Sequence, residues 1–143
     1  MGEESPDPRV IRSVAVTAED VVAAVESHHQ RDEQVVLRVT PPFSGRMRAR
    51  IHVPTGEVAD EAGTLHLDPV SLLDSGAPPY PRPGETEDDL RANPDVEYTV
   101  ERHHERHRQA LERWRDRLPS HVADQVTMET AAGSVTVDVT VLG

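Results

Sequence analysis

Arg46, Arg48, Arg50 and His52 occupy alternate positions of one short stretch, a spacing suited to holding an anion. In extended backbone successive side chains point to opposite faces, so these four share one face and Met47, Ala49, Ile51 and Val53 the other. Guanidinium forks hold carboxylate or phosphate oxygens two at a time. Arg38, on the preceding stretch, is expected on the same face if the two strands pair, with Arg12 joining from the first strand. The expected ligand is an anionic small molecule or an acidic protein. The simpler alternative is that carboxylates on neighbouring strands, such as Glu129 and Asp138, neutralise these arginines across the sheet. Nucleic acid is disfavoured, because no aromatic residues interleave the arginines for base stacking and phosphate contacts weaken steeply with salt. An acidic partner suffers the same screening, which keeps a small anion in play.

Histidine is the second chemistry-bearing residue. His103, His104 and His107 fall within one helical turn of each other, and His28 joins them if two helices pack side by side. Imidazoles three or four residues apart suit zinc or a similar divalent metal. Glu105 follows His104, but the next histidine comes one residue too early for H-E-x-x-H. The plainer alternative is histidines hydrogen-bonded to a carboxylate or backbone, or packing that responds to protonation. No cofactor is expected, a divalent metal being the alternative. Nucleophile elbows, glycine-rich phosphate loops and dinucleotide fingerprints are missing, and the sequence neighbours Ser27-His28 and Ser120-His121 do not by themselves place a hydroxyl against an imidazole.

A third pattern is an apolar seam. Val100, His104, His107, Leu111, Trp114 and Leu118 follow one another at steps of four and three, which is heptad spacing on a helix. The pattern predicts a helix opened by Asn93-Pro94 and stopped by Pro119. From Pro94 to Leu118 it would run about 37 Å, longer than a small sheet covers. Part of the seam is therefore expected to pack on the insertion or on a second copy of the chain, as a homodimer, or to meet a different protein, through Leu111, Trp114 and Leu118.

The elements that would position these residues follow from hydrophobic period and turn signals. Residues 1–8 read as a disordered acidic tail and 9–143 as a single domain, with 54–92 an irregular insertion. Val10–Val16 is a strand, followed by a helix capped at Thr17 that runs to about Arg31. Gln34–Thr40 and Arg46–Val53 form a hairpin around Pro41–Gly45, where the prolines cannot serve a ladder. Thr64–Leu67 is a short strand, Asp68 caps a turn with Pro69 at its first helical position, and the prolines of Ser75–Gly84 make an extended crossing. Val122–Thr130 and Ser134–Leu142 close the chain as two strands. The order predicts an α+β fold: an antiparallel sheet with two main helices on one face, ferredoxin-like in its split β-α-β core, carrying an insertion and an extra C-terminal hairpin strand.

Composition sets the surroundings. Of 143 residues, 26 are Asp or Glu and 15 are basic, giving a formal net charge of −11, and every basic residue other than histidine is arginine. Such a charge strains a small fold by self-repulsion, which vanishes in molar salt where the Debye length is about 3 Å. The absence of cysteine excludes disulfides and thiolate chemistry. No apolar run is long enough for a membrane span, and the opening residues lack the charged and apolar regions of a secretory leader, so a cytoplasmic location is expected.

The stretch Leu37-Arg-Val-Thr-Pro-Pro-Phe-Ser-Gly-Arg-Met-Arg-Ala-Arg-Ile-His52 resembles a segment of small acidic proteins of haloarchaea. So do Ser13-Val-Ala-Val-Thr-Ala-Glu-Asp20 and the His/Arg-rich helix followed by a C-terminal hairpin. That group is a domain family of unknown function. The resemblance implies a salt-adapted, cytoplasmic protein and carries over no catalytic residue. The residues themselves point to a non-enzymatic binding or assembly module.

Overall fold

The computed structural model describes residues 4–31, 34–54 and 62–143. Seven strands and three α-helices follow the chain as β1 (Ser13–Thr17), α1 (Ala18–Arg31), β2 (Val36–Val39), β3 (Arg46–Arg48), β4 (Arg50–His52), β5 (Leu65–Leu67), α2 (Pro83–Ala92), α3 (Val100–Arg117), β6 (Gln125–Thr130) and β7 (Gly133–Leu142). The expected α+β class holds. The strands, expected in one antiparallel sheet, fall into two: a four-stranded sheet ordered β3-β1-β7-β6 and a three-stranded sheet ordered β4-β2-β5. β1 pairs in parallel with both β3 and β7, while every pairing in the smaller sheet is antiparallel. The element order stays compatible with a split β-α-β scheme.

The division has a local cause. The stretch expected as one strand, Arg46–Val53, changes partners at Ala49. Arg46, Met47 and Arg48 align with Ser13, Val14 and Ala15 of β1, whereas Arg50, Ile51 and His52 align with Arg38, Leu37 and Val36 of β2. The Ala49 N–H donates to the Ala15 carbonyl at 2.9 Å, and the Ile51 N–H, turned to the same side, reaches the Asp20 carboxylate of α1 at 3.4 Å. One short segment thus belongs to both sheets, and Ala49 at the join is fully buried.

Alternation builds the core. Val126 and Met128 of β6 face Val137 and Val135 of β7 in register, and with Val14 and Val16 they form the inner surface of the larger sheet. Leu37, Val39, Leu65 and Leu67 do the same for the smaller one. Each such side chain contributes about 1.5–3 kcal/mol on full burial. The opposite face of the larger sheet is polar, with Thr127 and Thr136 hydroxyls 2.8 Å apart across the strands. β6 returns into β7 through a turn in which Gly133 adopts φ +105°, a conformation that glycine takes without steric cost.

Thr17 caps α1, its hydroxyl accepting from the Asp20 N–H at 3.0 Å. The last long helix differs from expectation. Asn93 accepts from the Asp95 N–H in a local turn, and Thr99 supplies the helix cap through the Arg102 N–H, so α3 starts at Val100 and spans about 27 Å. The residues before it form a separate helix, α2, within what was expected as irregular insertion. Pro83, the last proline of the crossing, sits in its first turn, where a missing N–H costs nothing. Residues 55–61 of that insertion lie outside the described residues. Residues 4–8, expected as tail, are held: Ser5 and Phe43 exchange backbone hydrogen bonds of 2.7 and 2.6 Å, and the Asp7 side chain caps a turn at Pro8–Val10.

Substitutions on the two faces of the shared segment should separate cleanly. Ala49→Leu overfills the join and is expected to cost about 1–3 kcal/mol. Arg48→Ala, on the exposed face, should stay within about 0.5 kcal/mol. Urea unfolding midpoints check both; equal losses would show that Ala49 is not the packed junction.

Candidate functional site: a basic strand face

The shared segment gives its arginines a common direction. Met47 packs against the core and Ala49 is buried, so Arg46, Arg48 and Arg50 are turned outward and exposed. In the smaller sheet the register places Arg50, Arg38 and His66 in one cross-strand row, with Arg38 half-buried at its centre. His52, also half-buried, lies beside this row, its ring centroid 6.3 Å from that of His66. His66 escaped the reading of the sequence. Its signal was the alternation Leu65-His66-Leu67, which turns the imidazole away from two buried leucines.

Arg46, Arg48 and Arg50 form no ion pair among the described residues. Other arginines do: Arg9 with Asp7 at 2.7 Å, Arg91 with Glu87 at 3.3 Å, Arg108 with Glu105 at 2.6 Å and Arg115 with Glu26 at 2.8 Å. The carboxylates that would have neutralised the face are engaged elsewhere. Asp138 accepts from the Gln125 amide at 3.0 Å and Glu129 from the Ser134 hydroxyl at 2.8 Å. Both Arg46 and Asp138 align with Ser13, which puts Asp138 two strands, about 9–10 Å, from Arg46. Arg12 is exposed beside Gly45, to whose carbonyl its N–H donates at 2.8 Å.

The histidines divide between two places. His28 and His29 end α1, with ring centroids 5.4 Å apart. His103 and His107 stack at 6.1 Å on α3, and His104 is exposed beside them. Instead of turning toward His28, His103 and His107 grip α2. His103 Nε2 donates to the Pro83 carbonyl at 2.9 Å, and His107 Nδ1 lies 3.1 Å from the hydroxyl of Thr86, a buried residue. Among the described residues no group of three or more His, Asp or Glu is placed to hold a metal ion.

The apolar seam is used within the chain. Leu118 and Trp114 are buried and Leu111 half-buried; Trp114 meets Tyr80 edge-on at 4.9 Å and donates its indole N–H to the Pro78 carbonyl at 3.1 Å. The proline crossing lies within the 54–92 insertion, so Trp114 meets the insertion, one of the neighbours expected for the seam. At the other end Val100 is 57% exposed and His104 is exposed as well.

Burial and the neighbouring His103 hold the His107 imidazole below its ordinary pKa; burial, His28 and Arg82 do the same for His29. A histidine whose folded pKa is depressed gives its full contribution above the unfolded pKa of about 6.5 and loses it as pH falls toward the folded value. Melting temperature should therefore drop between about pH 7.5 and 5.5, above the range of ordinary carboxylates. In about 2 M KCl, where changes in net charge are screened, His107→Gln should shrink that drop. A variant that loses as much as wild type would remove His107 from the account.

No curated protein and no solved structure matches the chain. A family model described as a domain of unknown function, DUF8009, matches residues 1–143. The chain belongs to that family.

Proposed function

We propose that the protein is a non-enzymatic binding module whose Arg46/Arg48/Arg50 face contacts an acidic partner. The observation that supports this most is that three guanidiniums, two residues apart on the segment that joins β3 to β4, stay exposed and unpaired among the described residues of a chain carrying −11. Alternate strand positions repeat every 6.6 Å or so. An extended segment with carboxylates at every second residue has the same repeat, so each guanidinium meets one carboxylate without strain. An exposed strand face suits such a segment better than a small anion, which favours a concavity. Arginines on an exposed strand also discourage unwanted strand pairing; a binding role adds selectivity for anions to that effect.

Exposed ion pairs contribute about 0.2–1 kcal/mol each, so losing three should weaken binding roughly 3- to 150-fold. Calorimetric titration of a (Glu-Ser)4 peptide into wild type and the Arg46→Gln/Arg48→Gln/Arg50→Gln variant tests this, with tripolyphosphate as the second probe. Tighter binding of the peptide, lost in the variant, is expected. Equal affinity for wild type and variant would remove the face from the proposal, and a preference for tripolyphosphate would replace the acidic segment with a small anion.

The same composition supports a working environment rich in salt, in keeping with a haloarchaeal, cytoplasmic setting. The carboxylate excess leaves self-repulsion that salt screens. Raising KCl from about 0.1 M to about 2 M should raise the melting temperature. A temperature that falls or stays constant would argue against salt adaptation.

A further inference from the structure

A cavity of about 460 Å³ opens between α1, the proline crossing and α3, on residues other than those of the arginine face. Its walls include the rings of Tyr80, Trp114 and His29. Tyr80 lies parallel to His29 at 4.9 Å and edge-on to Trp114 at 4.9 Å, so the three rings form one continuous aromatic wall. Their polar tips are directed at other parts of the protein. The Tyr80 hydroxyl accepts from the Gln30 amide at 2.8 Å and approaches the Glu26 carboxylate at 3.4 Å, while the Trp114 N–H is bound to the Pro78 carbonyl. With those tips engaged, what the wall offers a ligand is the ring surface that half-buried Tyr80 and 3% exposed Trp114 leave open.

Charge selects among ligands. Asp74 and Glu85 line the cavity against a single guanidinium, that of Arg82. Asp74 is fixed in place, one of its oxygens accepting from the Gly76 N–H at 2.9 Å and from His121 at 3.1 Å. His29, also in the wall, is kept toward its neutral form by burial first and by His28 and Arg82 next. An anion entering would confront two carboxylates. A cation meets them favourably, and aromatic faces attract quaternary ammonium groups in particular.

We propose that this cavity binds a small organic cation of the quaternary ammonium class, seated against Tyr80 and Trp114 and balanced by Asp74 and Glu85. The volume admits a ligand of choline's size, and hydrophobic walls with few, fixed polar groups are the usual construction of a small-molecule site. Electrostatics and cation–π attraction act together, since the ammonium methyls pack on the rings while the charge is shared with the carboxylates.

Trp114 is the only tryptophan in the chain, so its fluorescence reports on the cavity directly. Choline and its uncharged isostere 3,3-dimethylbutan-1-ol are titrated into the full chain, with 3,3-dimethylbutanoate as the anionic counterpart. Choline is expected to change the emission saturably and to bind at least tenfold more tightly than either of the others. Glu85→Gln, at an exposed position that leaves folding intact, should weaken choline several-fold without altering the weak binding of the alcohol. Tyr80→Phe keeps the ring and should retain binding, while Tyr80→Leu should abolish it, with melting temperature confirming that each variant is folded. Equal affinity for choline and the alcohol, tighter binding of the anion, or no saturable response to choline at its solubility limit would each overturn the proposal.

Discussion

The architecture depends on one strand segment serving two sheets. At Ala49 the chain gives up β1 and takes β2 as partner, and it does so with the only side chain in the segment small enough to vanish into the join. That constraint decides which residues can face solvent. Side chains alternate with a period of two, so burying Ala49 turns Arg46, Arg48 and Arg50 outward together. Adding or removing a single residue between Phe43 and Arg46 would exchange the two sets and put guanidinium groups into the core. The length of that connection is thus fixed in parity even where its composition is free. Phe43, fully buried and paired with Ser5, anchors the loop that delivers the segment at the right phase.

Local signals in the sequence placed most elements. Clean alternation in Val135–Val141 and a capping threonine at Thr17 are short-range physics, and both appear in the fold. What the sequence hid was long-range. Nothing in Arg46–Val53 announces that its halves have different partners; the expected alternation holds as far as Arg50, after which Ile51 and Val53 are exposed and His52 is half-buried. Asn93-Pro94 carries a helix-start signal, yet Asn93 closes a local turn and Thr99 makes the cap. Pro83 was concealed among three other prolines, although a proline suits the first turn of a helix as well as an extended crossing.

The candidate sites show the same division. The exposure of Arg46, Arg48 and Arg50 followed from period two, whereas the separation of Arg46 from Asp138 depended on strand order, which puts Ser13 between them. Heptad spacing identified the Trp114–Leu118 stripe as apolar but did not choose between its possible covers; the cover is the proline crossing, whose Pro78 lies 36 residues before Trp114. The aromatic wall was invisible for that reason. His29, Tyr80 and Trp114 come from three separate elements and no spacing rule connects them.

α2 has a distinct standing in this molecule. Its buried residues, Leu90 and Thr86, lie outside the continuous hydrophobic core, and two imidazoles of α3 hold its first turn. Regions secured by few apolar contacts open ahead of the rest of a protein. The backbone amides of Gly84–Ala92 are accordingly expected to exchange with solvent while both sheets stay closed. Glu85 belongs to that helix and Arg82 immediately precedes it, so opening of α2 would alter the charge lining the cavity. Ligand entry and this partial unfolding would then be a single event, and occupancy of the cavity would slow exchange in a helix that supplies only one edge of it.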